Sequence, residues 1–158
     1  MKIFNVFFIL LISSTFLIGS TPKILTGVIV GVTDGDTVKL LTPHKDLFKI
    51  RLADIDAPEK KQAFGKKSKY FLSDLIYKKI VTVQVKTKDK WGRLIGTIYL
   101  NKQNINYAMV EAGLAWVYRR YSHDKHFLEL EASAQYYKRG LWIDPNPIKP
   151  SLYRKGKR

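Results

Sequence analysis

The chain has 158 residues, 46% of them apolar and 13% aromatic, and it contains no cysteine. That length suits one domain with a substantial core, and the composition excludes a disordered or fibrous chain, disulfides and cysteine-held zinc. Lys and Arg number 28 against 13 Asp and Glu, a net charge of +15, so the surface attracts polyanions: nucleic acid, acidic polysaccharide or anionic lipid.

Residues 1–20 begin with Met1-Lys2, run through the apolar stretch Ile3 to Ile12, and end in Gly19-Ser20. A cationic start, an apolar run and small closing residues predict a secretory signal peptide, and with it a secreted or cell-envelope protein. Leu17 and Ile18 fit the cleavage position poorly, so an uncleaved membrane anchor is the alternative. The run is short for a span of about 20 residues.

Residues 24–32 read as a strand, Asp34-Gly35 as the start of a turn, and Thr37–Leu41 as a second strand opened by Asp36. Residues 47–53 alternate apolar and polar, as a half-buried third strand does, and Pro58 stops it. A helix is predicted over Lys66–Tyr77, with Tyr70, Phe71 and Leu75 among its apolar positions and lysines outside. Strands follow at Ile80–Lys86 and Arg93–Leu100. A helix near Asn104–Ala112 stops at Gly113. Another near Asp124–Lys138 carries Phe127, Leu130, Ala134 and Tyr137 at helical spacing and stops at Gly140. The domain so outlined covers residues 24–144. Residues 145–158, with three prolines and five basic groups, read as an extended basic tail. Five short strands with segregated helices predict an α+β, mainly β, architecture: a five-stranded OB-fold barrel with three packed helices.

Acids are scarce in so basic a chain, and six of the 13 fall within residues 34–59. Five of these six form two clusters, Asp34-Gly35-Asp36 and Asp54-Ile55-Asp56-Ala57-Pro58-Glu59, each at the end of a predicted strand. Neighbouring strands would bring Asp36 and Asp56 to one mouth of the barrel. Carboxylates so gathered repel one another unless a cation sits among them. His44, His123 and His126 are too scattered for a histidine site, so oxygen ligands point to Ca²⁺ or Mg²⁺. Arg51 opens the segment that ends in Glu59, and Arg93 follows the turn Asp89-Lys90-Trp91-Gly92. Phosphoryl transfer needs guanidinium donors on the phosphate oxygens, a cation, and a base for water. Arg51, Arg93, a metal on Asp36 and Asp56, and Glu59 make that set.

These motifs closely resemble the thermonuclease family of staphylococcal-nuclease-like domains. The resemblance runs from about Leu25 to Trp142 and rests on Asp34-Gly35-Asp36-Thr37, Arg51 through Glu59, Lys90-Trp91-Gly92-Arg93, Gly113-Leu114-Ala115 and Gly140-Leu141-Trp142. It implies calcium-dependent hydrolysis of DNA and RNA, with 3′-phosphate ends and little sequence specificity. Asp36 and Asp56 look like the ligands of one Ca²⁺ ion, with the Ala57 backbone carbonyl as a third; the family's best-known member has Thr at that position. Other divalent ions stay open as cofactors. Arg51 and Arg93 look like the catalytic guanidiniums, and Glu59 like the residue that orients or deprotonates water. Lys90 and Trp91 fall where that member uses Lys and Tyr near the nucleotide, and Tyr118 and Tyr121 fall near its nucleotide-contacting tyrosines. Asp54 stands where that member is apolar; it either alters ion preference or faces solvent.

The expected partner is a nucleic acid substrate, with single strands favoured because Trp91 offers a stacking face. The chain is expected to act as a monomer, and no protein partner is inferred. Lys60, Lys61, Lys66, Lys67 and Lys69 read chiefly as a solvated surface. Glu131 reads as a paired structural carboxylate, Trp116 and Trp142 as core, and His123 and His126 as surface or capping groups. A non-catalytic nucleic-acid-binding module of the same fold is the second reading. A basic envelope protein acting on anionic lipid or polysaccharide is the third, and the mixed first helix does not suit it.

Overall fold

The computed structural model of the protein describes residues 23–156, so the predicted leader at residues 1–20 lies outside the described residues. Strands β1 (Lys23–Asp34), β2 (Thr37–Leu41) and β3 (Leu47–Leu52) form an antiparallel meander. The two-residue strand β4 (Ile55–Asp56) and helix α1 (Gly65–Ile76) follow. Strand β5 (Ile80–Lys88) pairs with the first half of β1 and with β6 (Leu94–Leu100), whose end carries the short β7 (Gln103–Asn104). Strand β6 then pairs in parallel with β3, Ile50 opposite Leu94 and Leu52 opposite Gly96, and this closes a five-stranded barrel. One long strand serves two neighbours because β1 is bulged between Ile29 and Gly31 and between Val32 and Asp34, and bulges bend a strand and increase its twist.

Alternation decides what fills the barrel. Ile29, Val38, Leu40, Ile50, Leu52, Val81, Val83 and Ile98 all point inward and are buried. The strands were thus predicted within two residues at each end, because period-two patterning is a local signal.

The helices differ from expectation in detail. Helix α1 buries Ser68, Leu72 and Ile76, spaced by four, against the barrel. Tyr70 lies outside this stripe and is exposed, while Phe71 and Leu75 pack only at its edge. Helix α2 (Ile105–Glu111) ends as predicted at Gly113, whose φ is +65°. The Gly113 N–H donates to the Val110 carbonyl at 2.9 Å and the Leu114 N–H to that of Met109 at 2.9 Å, a Schellman closure. Helix α3 (Lys125–Tyr136) stops before Gly140. Lys138 takes the left-handed conformation instead, with φ +51°, and the Arg139 N–H returns to the Ala134 carbonyl at 2.8 Å. Gly140 opens a 3₁₀ turn (Gly140–Ile143) that presses on Gly113, the Leu141 N–H donating to the Gly113 carbonyl at 2.8 Å. The tail predicted as extended contains one helical turn, α4 (Pro150–Tyr153), with Pro150 in its first turn. Proline suits that position because its missing N–H would have no helical partner there. The barrel therefore carries a fourth, short helix beyond the three expected. Among the described residues no helix is long and apolar enough to cross a membrane.

Two buried polar side chains hold the helices in place. Glu131 is 2% exposed; it accepts from the Val117 N–H at 2.9 Å and pairs with Arg119. Asn106 is fully buried, donates to the Ala53 and Gly96 carbonyls at 2.9 and 3.2 Å, and accepts from the Ile98 N–H at 3.1 Å. It ties α2 to β6 and to the turn after β3. Asn106→Ala removes this partner from the Ala53 carbonyl and the Ile98 N–H, while the Gly96 carbonyl keeps the Ala53 N–H at 2.8 Å; a buried group left unpaired costs about 1–3 kcal/mol. We expect a loss of at least ~2 kcal/mol in urea unfolding, and a change within ~0.5 kcal/mol would show that the network does not carry the joint.

Candidate active site at the barrel mouth

The turn between β1 and β2 consists of Gly35 and Asp36, one residue later than predicted. The Asp36 N–H donates to the Asp34 carboxylate at 3.1 Å. Gly35 is required by close approach: a Cβ there would stand 1.9 Å from Ser68 Oγ and 2.8 Å from the Ala57 Cβ. Lacking one, the turn lies against α1 and against residue 57. Asp36 Oδ2 then accepts from the Ala57 N–H at 3.0 Å, across 21 residues of sequence.

Strand β8 (Trp116–Val117) pins the second acidic stretch. Asp56 pairs with Trp116, Ile55 with Val117, and the Tyr118 N–H donates to the Asp54 carbonyl at 2.7 Å. Asp56 is thereby buried at the mouth beside Asp36. Arg51, on β3 and opposite Thr37 on β2, joins them: its guanidinium stands 2.9 Å from Asp36 Oδ2 and 3.2 Å from Asp56 Oδ1. The convergence expected of Asp36, Asp56 and Arg51 is present.

The mouth opens into a cleft of about 710 Å³. Glu59 and Arg93 line it, as do Trp91, Tyr118 and Tyr121. Arg93 comes from the turn between β5 and β6. Its Nε donates to Asp89 Oδ2 at 2.7 Å, and Asp89 Oδ1 caps the Trp91 and Arg93 N–H groups at 2.9 Å each. Trp91 is 71% exposed and lies 5.4 Å from the Arg93 guanidinium. Tyr118 and Tyr121 meet edge to face at 4.9 Å. Lys90 is not part of the lining; its ammonium rests 4.7 Å from the Trp91 ring centre. Asp54, at φ +67°, pairs with Lys86 on the cleft wall.

Sequence reasoning missed Arg154 altogether. Just after α4, it reaches back across 98 residues to Asp56, with Nη1 at 3.2 Å from Oδ1 and Nη2 at 3.0 Å from Oδ2, and it also bonds Glu59 at 2.5 Å. No motif marks it; a basic residue in a basic tail carries no local signal. Asp89 was also passed over as a turn residue, although an Asp before a Trp-Gly turn is a recognisable cap.

Burial pushes the Asp34 carboxyl up to about 6, and the neighbouring Asp36 adds to the shift. Asp56 is also raised, by burial first, against the opposing pull of Arg154. Asp89 goes the other way. Hydrogen bonds from Arg93 and Trp91 outweigh its desolvation and hold it below the usual carboxylate range.

Among the described residues no group of three acidic or histidine side chains stands close enough to hold a metal ion. The protein's contribution to a cation would be Asp36, Asp56 and backbone oxygen. These are hard donors, and the two carboxylates already converge on one positive group, the Arg51 guanidinium. The donor set fits a hard divalent cation whose remaining ligands come from water and substrate.

In the fold Asp34 takes up its proton near pH 6, against 3.8 as its ordinary value. The folded state thus binds more protons than the unfolded chain between those values, and its stability falls as pH rises through that window. Asp34→Asn should flatten this fall. The measurement is the urea midpoint across pH ~4 to ~6 in chelator, and an unchanged slope would remove Asp34 as its source.

Comparison with known proteins agrees with this arrangement. The family model described as "Staphylococcal nuclease homologue" matches residues 49–144. A Haemophilus influenzae protein named an uncharacterized endonuclease is 50% identical over 127 residues, covering 80% of this chain and 71% of its own. The micrococcal nuclease of Shigella flexneri is 39% identical over 140 residues, covering 82% of this chain and 80% of its own. Protein ParB of Escherichia coli is 38% identical over 142 residues, with coverage of 83% and 80%. A closed five-stranded barrel, two acids and an arginine meeting at its mouth, and these likenesses along most of the sequence place the chain in the staphylococcal nuclease family, with a thermonuclease-like domain.

Proposed function

We propose that the protein is a divalent-cation-dependent nuclease that hydrolyses phosphodiester bonds of DNA and RNA with little sequence specificity. The observation that carries this is one cleft lined by Asp36, Arg51, Glu59 and Arg93, with Asp56 joined to Asp36 through the Arg51 guanidinium. The nuclease names of the relatives support the same chemistry. Leaving 3′-phosphate ends follows the family pattern and is read directly by end-group analysis of a digest. The basic-then-apolar residues 1–20 support export, with secretion or retention in the envelope.

Asp36, Asp56 and the Ala57 carbonyl would hold the cation, for which calcium is the first choice. When bound it supplies positive charge to a non-bridging phosphate oxygen. Arg51 and Arg93 grip the remaining phosphate oxygens, and their charge is worth more as phosphate charge develops during attack. Asp89 fixes Arg93 through its Nε and leaves the two Nη groups for substrate. Glu59 orients the attacking water and takes its proton. Trp91 stacks an unpaired base beside the cleft, with Tyr118 and Tyr121 facing the nucleotide. Lys90 extends the positive surface there.

Arg51→Ala and Arg93→Ala should each lower turnover by on the order of 10²–10³, and Glu59→Gln by about 10²–10⁴, with much smaller changes in KM. Chelator should abolish digestion and added Ca²⁺ restore it. Parent-like rates in Arg51→Ala and Glu59→Gln would overturn these residue assignments, whereas a parent that binds DNA but leaves it undigested with Ca²⁺ would be a binding-only module. Trp91→Ala should raise KM for single-stranded DNA about fivefold or more and act less on a GC-rich duplex; equal effects on both would exclude stacking.

A further inference from the structure

We propose that Arg154 is an intramolecular competitor for the divalent cation, so that the C-terminal segment covers the site until a cation displaces it. The inference rests on the reading that Asp56 takes the cation. Arg154 engages both oxygens of Asp56 at 3.2 and 3.0 Å, and the same guanidinium bonds Glu59. Arg51 already takes Asp56 Oδ1. A carboxylate offers about four lone-pair sites, and three are committed to guanidinium N–H groups. The one site left, on Oδ2, lies beside the Arg154 guanidinium, so a dication ligated by Asp56 repels Arg154 and competes with it for the same oxygen.

The segment is built so that only its end needs to move. Its root is anchored away from the cleft: Gln62 Nε2 donates to the Ile148 carbonyl at 2.6 Å, Lys149 lies 5.6 Å from the Trp116 ring, and Pro150 is buried. Helix α4 then carries Arg154 over the mouth. The Arg154 side chain is 42% exposed, against 6% for Asp56, so the arginine returns to water easily while the acid cannot. Displacement also frees Glu59 for water, which makes cation loading the step that uncovers the base. Binding and release are reciprocal: whatever affinity the cation loses to Arg154, the segment loses to the cation.

Calorimetric titration of Ca²⁺ into full-length protein, without nucleic acid, tests this. Arg154→Ala should bind Ca²⁺ roughly five- to a hundredfold more tightly than the parent, the range of ordinary intersite coupling. Arg154→Lys, which keeps charge but loses the bidentate grip, should fall between. Hydrogen exchange of the peptide covering residues 145–158 should quicken when Ca²⁺ is added to the parent. Equal or weaker binding by Arg154→Ala, with Asp56→Ala abolishing the heat, overturns the competitor and leaves the site intact. Heat that survives Asp56→Ala, or is absent from both parent and Arg154→Ala, overturns the assignment of Asp56 and the competitor with it.

Discussion

Arg51 stands between two buried carboxylates, and the mouth of the barrel is organised around that bridge. Asp36 and Asp56 come from stretches that share no local structure: a two-residue turn and a two-residue strand. Bringing them together in a poorly hydrated corner is unfavourable through both desolvation and repulsion. A guanidinium with planar, forked donors offsets both at once. Its position is set by register, since Arg51 faces Thr37 across β2 and β3. A slip of one residue would turn Arg51 away from the acids and the apolar residues out of the core together. The core and the site thus demand the same pairing.

Around this rigid pair the remaining groups sit on progressively looser supports. Arg93 and Trp91 belong to a turn, but Asp89 holds that turn by capping two N–H groups and clamping the arginine itself. Tyr118 and Tyr121 follow β8, anchored by the bond from the Tyr118 N–H to the Asp54 carbonyl. Glu59 is further out, after Pro58, and its partner Arg154 comes from the end of the chain. Binding groups carried on turns but positioned by a barrel combine exposure with precision, the usual division between scaffold and loops.

The net charge of +15 and the acids at the mouth have complementary roles. A basic surface raises the local concentration of a polyanion and speeds encounter. It also makes the few acids conspicuous targets for the protein's own cations: Lys86, Arg93 and Arg119 each pair with one, and Arg51 and Arg154 with two. A chain with so many free guanidinium and ammonium groups guards its carboxylates by default. That gives physical content to competition between Arg154 and a divalent ion at Asp56.

The barrel strands were legible in the sequence because alternation of apolar and polar residues is a property of neighbours, and so were the acid clusters, Arg51 and the glycine that ends α2. The stripe of α1 was misjudged, since Tyr70 and Leu72 are both apolar and only the facing barrel selects which is covered. The pairing of β4 with β8 was invisible, as two residues carry no period. Asn106 resembles any polar helix residue until three backbone groups from β6 and the turn after β3 surround it. Arg154 is one basic residue among several in the tail, and its role appears only when α4 folds over the mouth. The sequence by itself determined the barrel, its family and the chemical kinds present at the site. Only the tertiary structure decided which carboxylates meet, which arginines hold them and what covers them, because those contacts join residues up to 98 positions apart and are selected by packing and charge compensation rather than by local pattern.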